Sequence, residues 1–187
     1  MFNGIFKWKV FIIVAGITLL VLGCATHSAW KSSVQITELK NSYILTLPTS
    51  SVTLKFPKGG FLRAEPKLGG GSANPRYFNF PDKKTGLIIS GWFEPEELYP
   101  GIHELWKNDK KSFAQSGLPI PQNVSFEKQS IWDVIFYSMA DLPNMRANCV
   151  LAGTWIDLHI SLRSSSTDSD TRLSEFLSLV KVEIKPK

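Results

Sequence analysis

The segment Thr154 to Arg163, TWIDLHISLR, has the most suggestive spacing of residues that could do chemistry. Side chains of a strand alternate between its two faces, so the apolar residues of this segment share one face. The opposite face then carries an indole, a carboxylate, an imidazole and a hydroxyl in a row, from Trp155, Asp157, His159 and Ser161. Two interpretations are open: a ligand-binding or proton-shuttling surface, or a polar sheet face satisfied by hydrogen bonds under a loop or helix. We favour the second.

Catalysis on this face would need more than the row itself. Neighbours two residues apart on one face lie about 6.5–7 Å apart, so Asp157 reaches His159 only in favourable rotamers. The Gly-x-Ser-x-Gly turn of many Ser/His/Asp hydrolases is absent, and Ser161 lies on the same strand as His159. We therefore assign no catalytic residue, and a hydrolase that uses Asp157 and His159 stays an alternative.

Metal and phosphate sites are not indicated by the spacing of candidate ligands. The three histidines fall in different predicted segments, and no Cys/His spacing is typical of zinc. Gly69–Gly71 lack the lysine and hydroxyl ending of a phosphate-binding loop and are typical of a hairpin loop. Arg76 and Tyr77 beside that loop are candidate contact residues. We expect neither a metal nor a cofactor.

Period-two and helical patterns predict the elements that must position these residues. The predicted strands are 43–47, 52–56, 85–93, the hairpin 123–128 and 130–139, 147–153, 154–163 and a short closing strand at 181–185. The nearly continuous apolar run 85–93 is typical of a central strand covered on both faces. Helices are predicted from Pro100 to Gly117 and from Asp168 to Val180. This order favours an α+β fold, an antiparallel sheet flanked by two main helices.

The element order, and the strand GTWIDLHIS followed by a terminal helix, resemble the PsbP-like fold over roughly residues 40–184. The resemblance implies an α/β/α sandwich. It also implies a periplasmic or lipid-anchored interaction module, since that family includes assembly factors and commonly acts without catalysis.

The N-terminus has the order of a secretory signal. Lys7 and Lys9 precede a block of thirteen residues, Val10–Leu22, in which only Thr18 is polar. This block is short for a membrane-spanning helix, which needs about 20 apolar residues. It ends at Val21-Leu22-Gly23-Cys24, which resembles the bacterial lipobox, although Leu22 is bulkier than the usual residue there. A short transmembrane anchor and an ordinary cleaved signal are the alternatives.

The lipobox resemblance implies a domain plan and a location. Residues 1–23 would be a removed signal peptide, Cys24 the lipidated N-terminus with acyl chains such as palmitate, 24–41 a tether and 42–187 a single α+β domain. Ala25 in place of Asp implies the periplasmic side of the outer membrane, in bacteria that sort lipoproteins. The mature chain would have 19 basic and 16 acidic residues, a charge of +3, which is too small to indicate nucleic acid. Cys149, between apolar neighbours, is then a small core residue without a disulfide partner.

These features predict a lipid-anchored periplasmic accessory protein that acts by binding rather than catalysis. The expected partners are the membrane, through the anchor, and an envelope protein, a peptidoglycan component or a small ligand. An immunity protein against a secreted toxin is a more specific alternative. Whether any catalysis occurs is open.

Overall fold

The computed structural model of the chain describes residues 33–64 and 75–185. The lipobox, Cys24, residues 24–32 of the predicted tether and residues 65–74 lie outside the described residues. No helix in the described part is long and apolar enough to cross a bilayer. In chain order, the elements are β1 (Gln35–Glu38), β2 (Ser42–Thr46), β3 (Val52–Pro57), β4 (Tyr77–Pro81), β5 (Leu87–Pro95), a short 3-10 helix (Glu96–Leu98), α1 (Ile102–Gln115), β6 (Gln122–Gln129), β7 (Trp132–Met139), β8 (Leu142–Leu151), β9 (Thr154–Leu162), α2 (Ser169–Leu179) and β10 (Lys181–Ile184).

The strands form two antiparallel sheets in the described part of the chain. One has four strands in the order β1-β2-β3-β10, and the other has six in the order β4-β5-β9-β8-β7-β6. The C-terminal strand β10 thus returns to pair with β3, far away in sequence. β9, which carries Trp155, Asp157, His159 and Ser161, is near the centre of the larger sheet, between β5 and β8.

Tight turns join β7, β8 and β9 into a meander. Ala140 and Asp141, between β7 and β8, have φ of 49° and 62°, and Ala152 and Gly153, between β8 and β9, have 49° and 77°. Two successive residues with positive φ form a turn whose twist matches that of the flanking strands. Each strand therefore lies beside the preceding one, and β9 is left to pair with β5 on its other side.

One cluster of buried side chains joins both sheets and α2. Leu45 and Leu54 of the smaller sheet, Phe80 and Ile156 of the larger sheet and Leu173 of α2 are all fully buried in it. Burial of apolar surface is the main force that holds such layers together. Ser33–Lys187 is one compact unit with its own core, and such a unit is expected to fold independently.

Helix α1 packs on the other face of the six-stranded sheet. Trp106 lies in a separate buried cluster with Ile135 and Tyr137 of β7. The helix ends as predicted, because Gly117 just beyond it has a φ of 65° and Leu118 N donates to Phe113 O at 3.0 Å, which satisfies a terminal carbonyl.

The prediction of fold class is confirmed in its coarse form. The six-stranded antiparallel sheet has α1 on one face and α2 on the other, and β6 and β7 form the predicted hairpin. The four-stranded sheet was not predicted as a separate layer, so the fold is richer in strands than an α/β/α sandwich. β1 lies within residues 24–41, which the sequence analysis places in the tether. β4 was also missed, because it follows the glycine-rich segment after only a few residues.

Candidate functional site

The face of the six-stranded sheet that carries α1 is the candidate site. Alternation along β9 places the side chains of Trp155, Asp157, His159 and Ser161 on this face, while the intervening apolar residues belong to the core. Trp155 and Asp157 are buried, whereas His159 and Ser161 are half-buried. The four predicted residues are therefore brought to one face, but they differ in their access to solvent.

A buried ion pair is at the centre of this face. Arg146 of β8 grips the Asp157 carboxylate with two parallel bonds, Nε to Oδ1 at 2.8 Å and Nη2 to Oδ2 at 2.5 Å. Its Nη1 also donates to Asp109 of α1. The exposed fractions of the Arg146 and Asp157 side chains are 8% and 6%. A bidentate guanidinium–carboxylate pair satisfies both charges where water is absent, and here it also ties α1 to the sheet.

The protonation of this pair is fixed by its neighbours. Burial by itself opposes ionisation of Asp157, but His159 and the Arg146 guanidinium hold the pKa of this carboxyl well below its usual value. Burial likewise disfavours the charged form of Arg146, yet its bonds to Asp157 and Asp109 raise the pKa of the guanidinium. Asp157 is therefore a permanent anion near neutral pH, which makes it a poor proton acceptor.

His159 shares the same carboxylate. Its Nε2 lies 3.3 Å from Asp157 Oδ1, and its side chain is 29% exposed. The imidazole and the indole of Trp92 on β5 meet edge to face, with ring centroids 5.4 Å apart. No hydrogen bond joins Ser161 to His159 among the described residues, so the arrangement has no activated hydroxyl. The proximity of Asp157 and His159 therefore completes no hydrolytic triad.

Trp155, at one end of the row of side chains on β9, is covered by a second set of contacts. Trp155 Nε1 donates to Asn148 Oδ1 at 3.0 Å, and its ring packs on Tyr99 with centroids 5.3 Å apart. Tyr99 donates in turn to Asp133 Oδ2 at 3.2 Å, and Lys128 pairs with the other oxygen of that carboxylate at 2.7 Å. Burial and the Asp133 carboxylate raise the pKa of the Tyr99 hydroxyl. This end of the face is therefore structural.

Three rings remain half-exposed on the side of this face toward β5 and β4, and we call them the aromatic row: Tyr77, Trp92 and His159. Tyr77 and Trp92 are opposite each other in the β4–β5 register, with ring centroids 5.0 Å apart. The half-buried hydroxyl residues Ser90 and Ser161 lie on the same sheet face. Aromatic groups next to hydroxyls give apolar area and hydrogen-bonding capacity together. The aromatic row is the part of the candidate face that can meet a partner.

Other residues that were singled out in the sequence can also be compared with the structure. Arg76 is buried and pairs with Glu94 at 3.5 Å, so of the two candidate contact residues only Tyr77 has a partly accessible ring. Cys149 is buried in the core as predicted, and burial raises the pKa of its thiol to about 11. Cys24, the predicted lipidation site, lies outside the described residues.

Two surface cavities are not lined by the aromatic row. A polar cavity of about 260 Å³ is lined by residues that include Asn123, Asp141 and Ser166, and an apolar one of about 370 Å³ by residues that include Trp132 and Val182. His159 contributes to neither. Among the described residues no group of three or more His, Cys, Asp or Glu side chains is placed to hold a metal ion.

Three residues at this site were not predicted from the sequence: Arg146, Asp109 and Trp92. A local signal for Arg146 did exist, because Asn144, Arg146 and Asn148 alternate with apolar residues along β8 as the row alternates along β9. Asp109 also had a local signal, because it lies three residues after Trp106 and four before Phe113, on the stripe of α1 that faces the sheet. Trp92 was assigned to a strand covered on both sides, but only one face of β5 is fully buried.

No family model matches the sequence, and no curated protein matches it. Among solved structures, the solution structure of cyanobacterial PsbP (CyanoP) from Synechocystis sp. PCC 6803 is similar, with a TM-score of 0.49 and 12% sequence identity. The similarity covers 81% of this chain and 93% of that chain.

Proposed function

We propose that this protein is a lipid-anchored lipoprotein on the periplasmic side of the bacterial outer membrane and that it acts by binding an envelope protein. The anchor is proposed from the lipobox sequence Val21-Leu22-Gly23-Cys24. The mode of action is proposed from the candidate face, where the aromatic row stays half-exposed while the charged groups beside it neutralise one another. The half-exposed row is the observation that carries the proposal.

Binding fits this face better than catalysis does. A general base needs a pKa near the working pH, and the pKa of Asp157 is far below that range. Asp157 is also held by Arg146 on both oxygens, so it cannot move toward a substrate. By contrast, aromatic side chains on a rigid sheet lose little conformational entropy when a partner covers them, which is why Trp and Tyr are frequent at the centres of interfaces.

Substitution of Trp92 tests the binding role. We expect Trp92→Ala to recover roughly tenfold less partner than the wild-type chain in cross-linking pull-downs from its own envelope, measured by quantitative mass spectrometry. Because Trp92 is half-exposed, the fold should survive, which near-ultraviolet circular dichroism and thermal unfolding would check. Ile120→Ala is the matched control, since Ile120 is an exposed apolar residue in the α1–β6 connection.

The pull-down also separates the alternatives. Equal recovery with Trp92→Ala and the wild-type chain would exclude the aromatic row as the contact surface. Recovery of a secreted toxin in place of an envelope component would instead support the immunity alternative.

Substitution of Cys24 tests the anchor. We expect Cys24→Ala to incorporate no radiolabelled palmitate and to leave the detergent-extractable membrane fraction, because the acyl chains supply the membrane affinity. Cys149→Ala is the matched control and should remain labelled and membrane-bound. Globomycin should cause the unprocessed precursor of the wild-type chain to accumulate. Labelling of the Cys24→Ala variant would contradict the lipobox assignment.

A further inference from the structure

Formal charge is divided unevenly between the two sheets. Residues 33–64 and 180–185, which build the four-stranded sheet, contain six basic and two acidic side chains, a formal charge of +4. Residues 75–179, which build the six-stranded sheet and both helices, contain ten basic and thirteen acidic side chains, a formal charge of −3. The small sheet is therefore cationic, while the remainder of the described part is anionic.

The positive charge is concentrated at one end of the four-stranded sheet. Lys55 and Lys181 are directly opposite each other in the β3–β10 register. Lys40 lies in the turn between β1 and β2, and Lys58 follows β3 directly, with its backbone N donating to Asn41 O at 3.0 Å. We call these four lysines the basic end.

Few acidic side chains neutralise the positive charge of the basic end. Lys58 pairs with Glu38 at 2.5 Å, but Lys40, Lys55 and Lys181 have no ion pair within the described part. Like charges directly opposite each other on a sheet disfavour the pairing of their strands. Lys55 also projects away from the core, because its neighbours along β3 are buried. An external anion that contacted Lys55 and Lys181 together would remove this repulsion.

The chain enters the fold through the same sheet. The described part begins at Ser33, nine residues after Cys24, and β1 follows at once as an edge strand of the four-stranded sheet. Nine residues span at most about 30 Å when fully extended. If Cys24 is lipidated, as the proposed function requires, Ser33 is kept within that distance of the bilayer, and the basic end lies about one four-residue strand farther along the sheet.

We propose that the basic end docks on the anionic phospholipid headgroups of the leaflet that holds the anchor. This inference rests on the proposed lipid anchor for its orientation. Lysines near an anionic membrane surface are attracted to it, and the attraction is weakened by salt. The aromatic row is on the other sheet, on the face opposite the shared core, so docking by the basic end would leave it free for a partner.

Vesicle binding by the isolated unit Ser33–Lys187, which has no acyl chain, tests the basic end alone. At low ionic strength we expect the unit to sediment with phosphatidylglycerol-containing vesicles, to be released by salt, and not to sediment with pure phosphatidylcholine. Lys55→Gln/Lys181→Gln should bind about thirtyfold more weakly, as expected for the loss of two surface-contacting lysines.

A matched control uses another lysine pair. Lys110→Gln/Lys111→Gln removes the same charge from α1 and should bind almost as well as the wild-type unit. Equal weakening by both double variants would overturn the assignment to the basic end. Absence of binding to anionic vesicles, or equal binding to phosphatidylcholine, would overturn the proposal itself. Because the unit lacks Cys24, a failure here is distinct from a failure of acylation in cells.

Discussion

Arg146→Met is expected to lower the free energy of unfolding by about 3–5 kcal/mol. The substitution leaves the Asp157 carboxylate buried, with only the half-exposed His159 close enough to compensate its charge. It also removes the bond by which Asp109 ties α1 to the sheet. A buried charge without its partner keeps the full cost of its desolvation, which is why breaking such a pair is more harmful than replacing it.

The matched control replaces both partners. Arg146→Met/Asp157→Leu should recover most of the lost stability, because well-packed apolar groups of similar volume carry no desolvation cost. The Asp109 carboxylate can lose its bond to Arg146 at little cost, since its side chain is 22% exposed and can be hydrated. Urea titration of both variants at pH 7 measures the difference. If the single and the double variant were equally unstable, packing volume and not the unpaired charge would be the cause.

Acid unfolding reports on the same carboxylate. The pKa of Asp157 in the folded state is below its ordinary value of 3.8, so the ionised group contributes stability at all pH values above that. This contribution is lost as the pH falls below about 4 and the folded-state pKa is approached. We expect wild-type stability to fall more steeply from pH 4 to about 2 than that of Arg146→Met/Asp157→Leu. Parallel pH profiles would show that other carboxyls dominate acid unfolding.

Gly91→Val is expected to cost roughly 3 kcal/mol or more, or to prevent folding. Gly91 lies on β5 between β4 and β9, and a Cβ atom there would be 2.3 Å from the backbone oxygen of Asp157 and 2.9 Å from Phe78 Cζ. A side chain can sometimes rotate away, but a backbone oxygen in the middle of a sheet cannot. Relief of the clash would require β9 to shift, and with it the carboxylate that Arg146 grips.

The adjacent residue provides the control for this variant. Ser90→Ala changes a half-buried residue on the other face of β5 and should alter stability by no more than about 0.5 kcal/mol. Thermal and urea unfolding measure both variants, and soluble yield indicates whether Gly91→Val folds. Near-wild-type stability of Gly91→Val would mean that β5 and β9 can separate without cost. The close approach of their backbones would then not constrain the fold.

The polar row on β9 and the two helices were predictable because their signals are local. Backbone geometry alone sets the alternation of Trp155, Asp157 and His159 against apolar neighbours. The helices lie within the predicted limits, at 102–115 and 169–179, because each has an apolar stripe. The lipobox is a local signal as well, and the anchor remains a prediction from the sequence.

The role of each residue in the row was not predictable from the same pattern. Asp157 became a structural anion because β8 places Arg146 beside it, eleven residues earlier, and because α1 adds Asp109. His159 remained partly accessible, with 29% of its side chain exposed, although it packs against Trp92 of β5. Which polar group is neutralised depends on which elements lie beside β9. The β8–β9 hairpin is local, but α1 and β5 reach this face from distant parts of the chain.

The sequence alone determined the periodic elements, the row on β9, the buried Cys149 and the lipobox, since each depends on residues within a few positions of one another. Only the tertiary structure divided the strands into two sheets, paired β10 with β3 and collected four lysines at one end of the smaller sheet. The physical reason is that the local density of charge and the exposure of a side chain to solvent are properties of the folded surface. A surface exists only after strands far apart in sequence have paired.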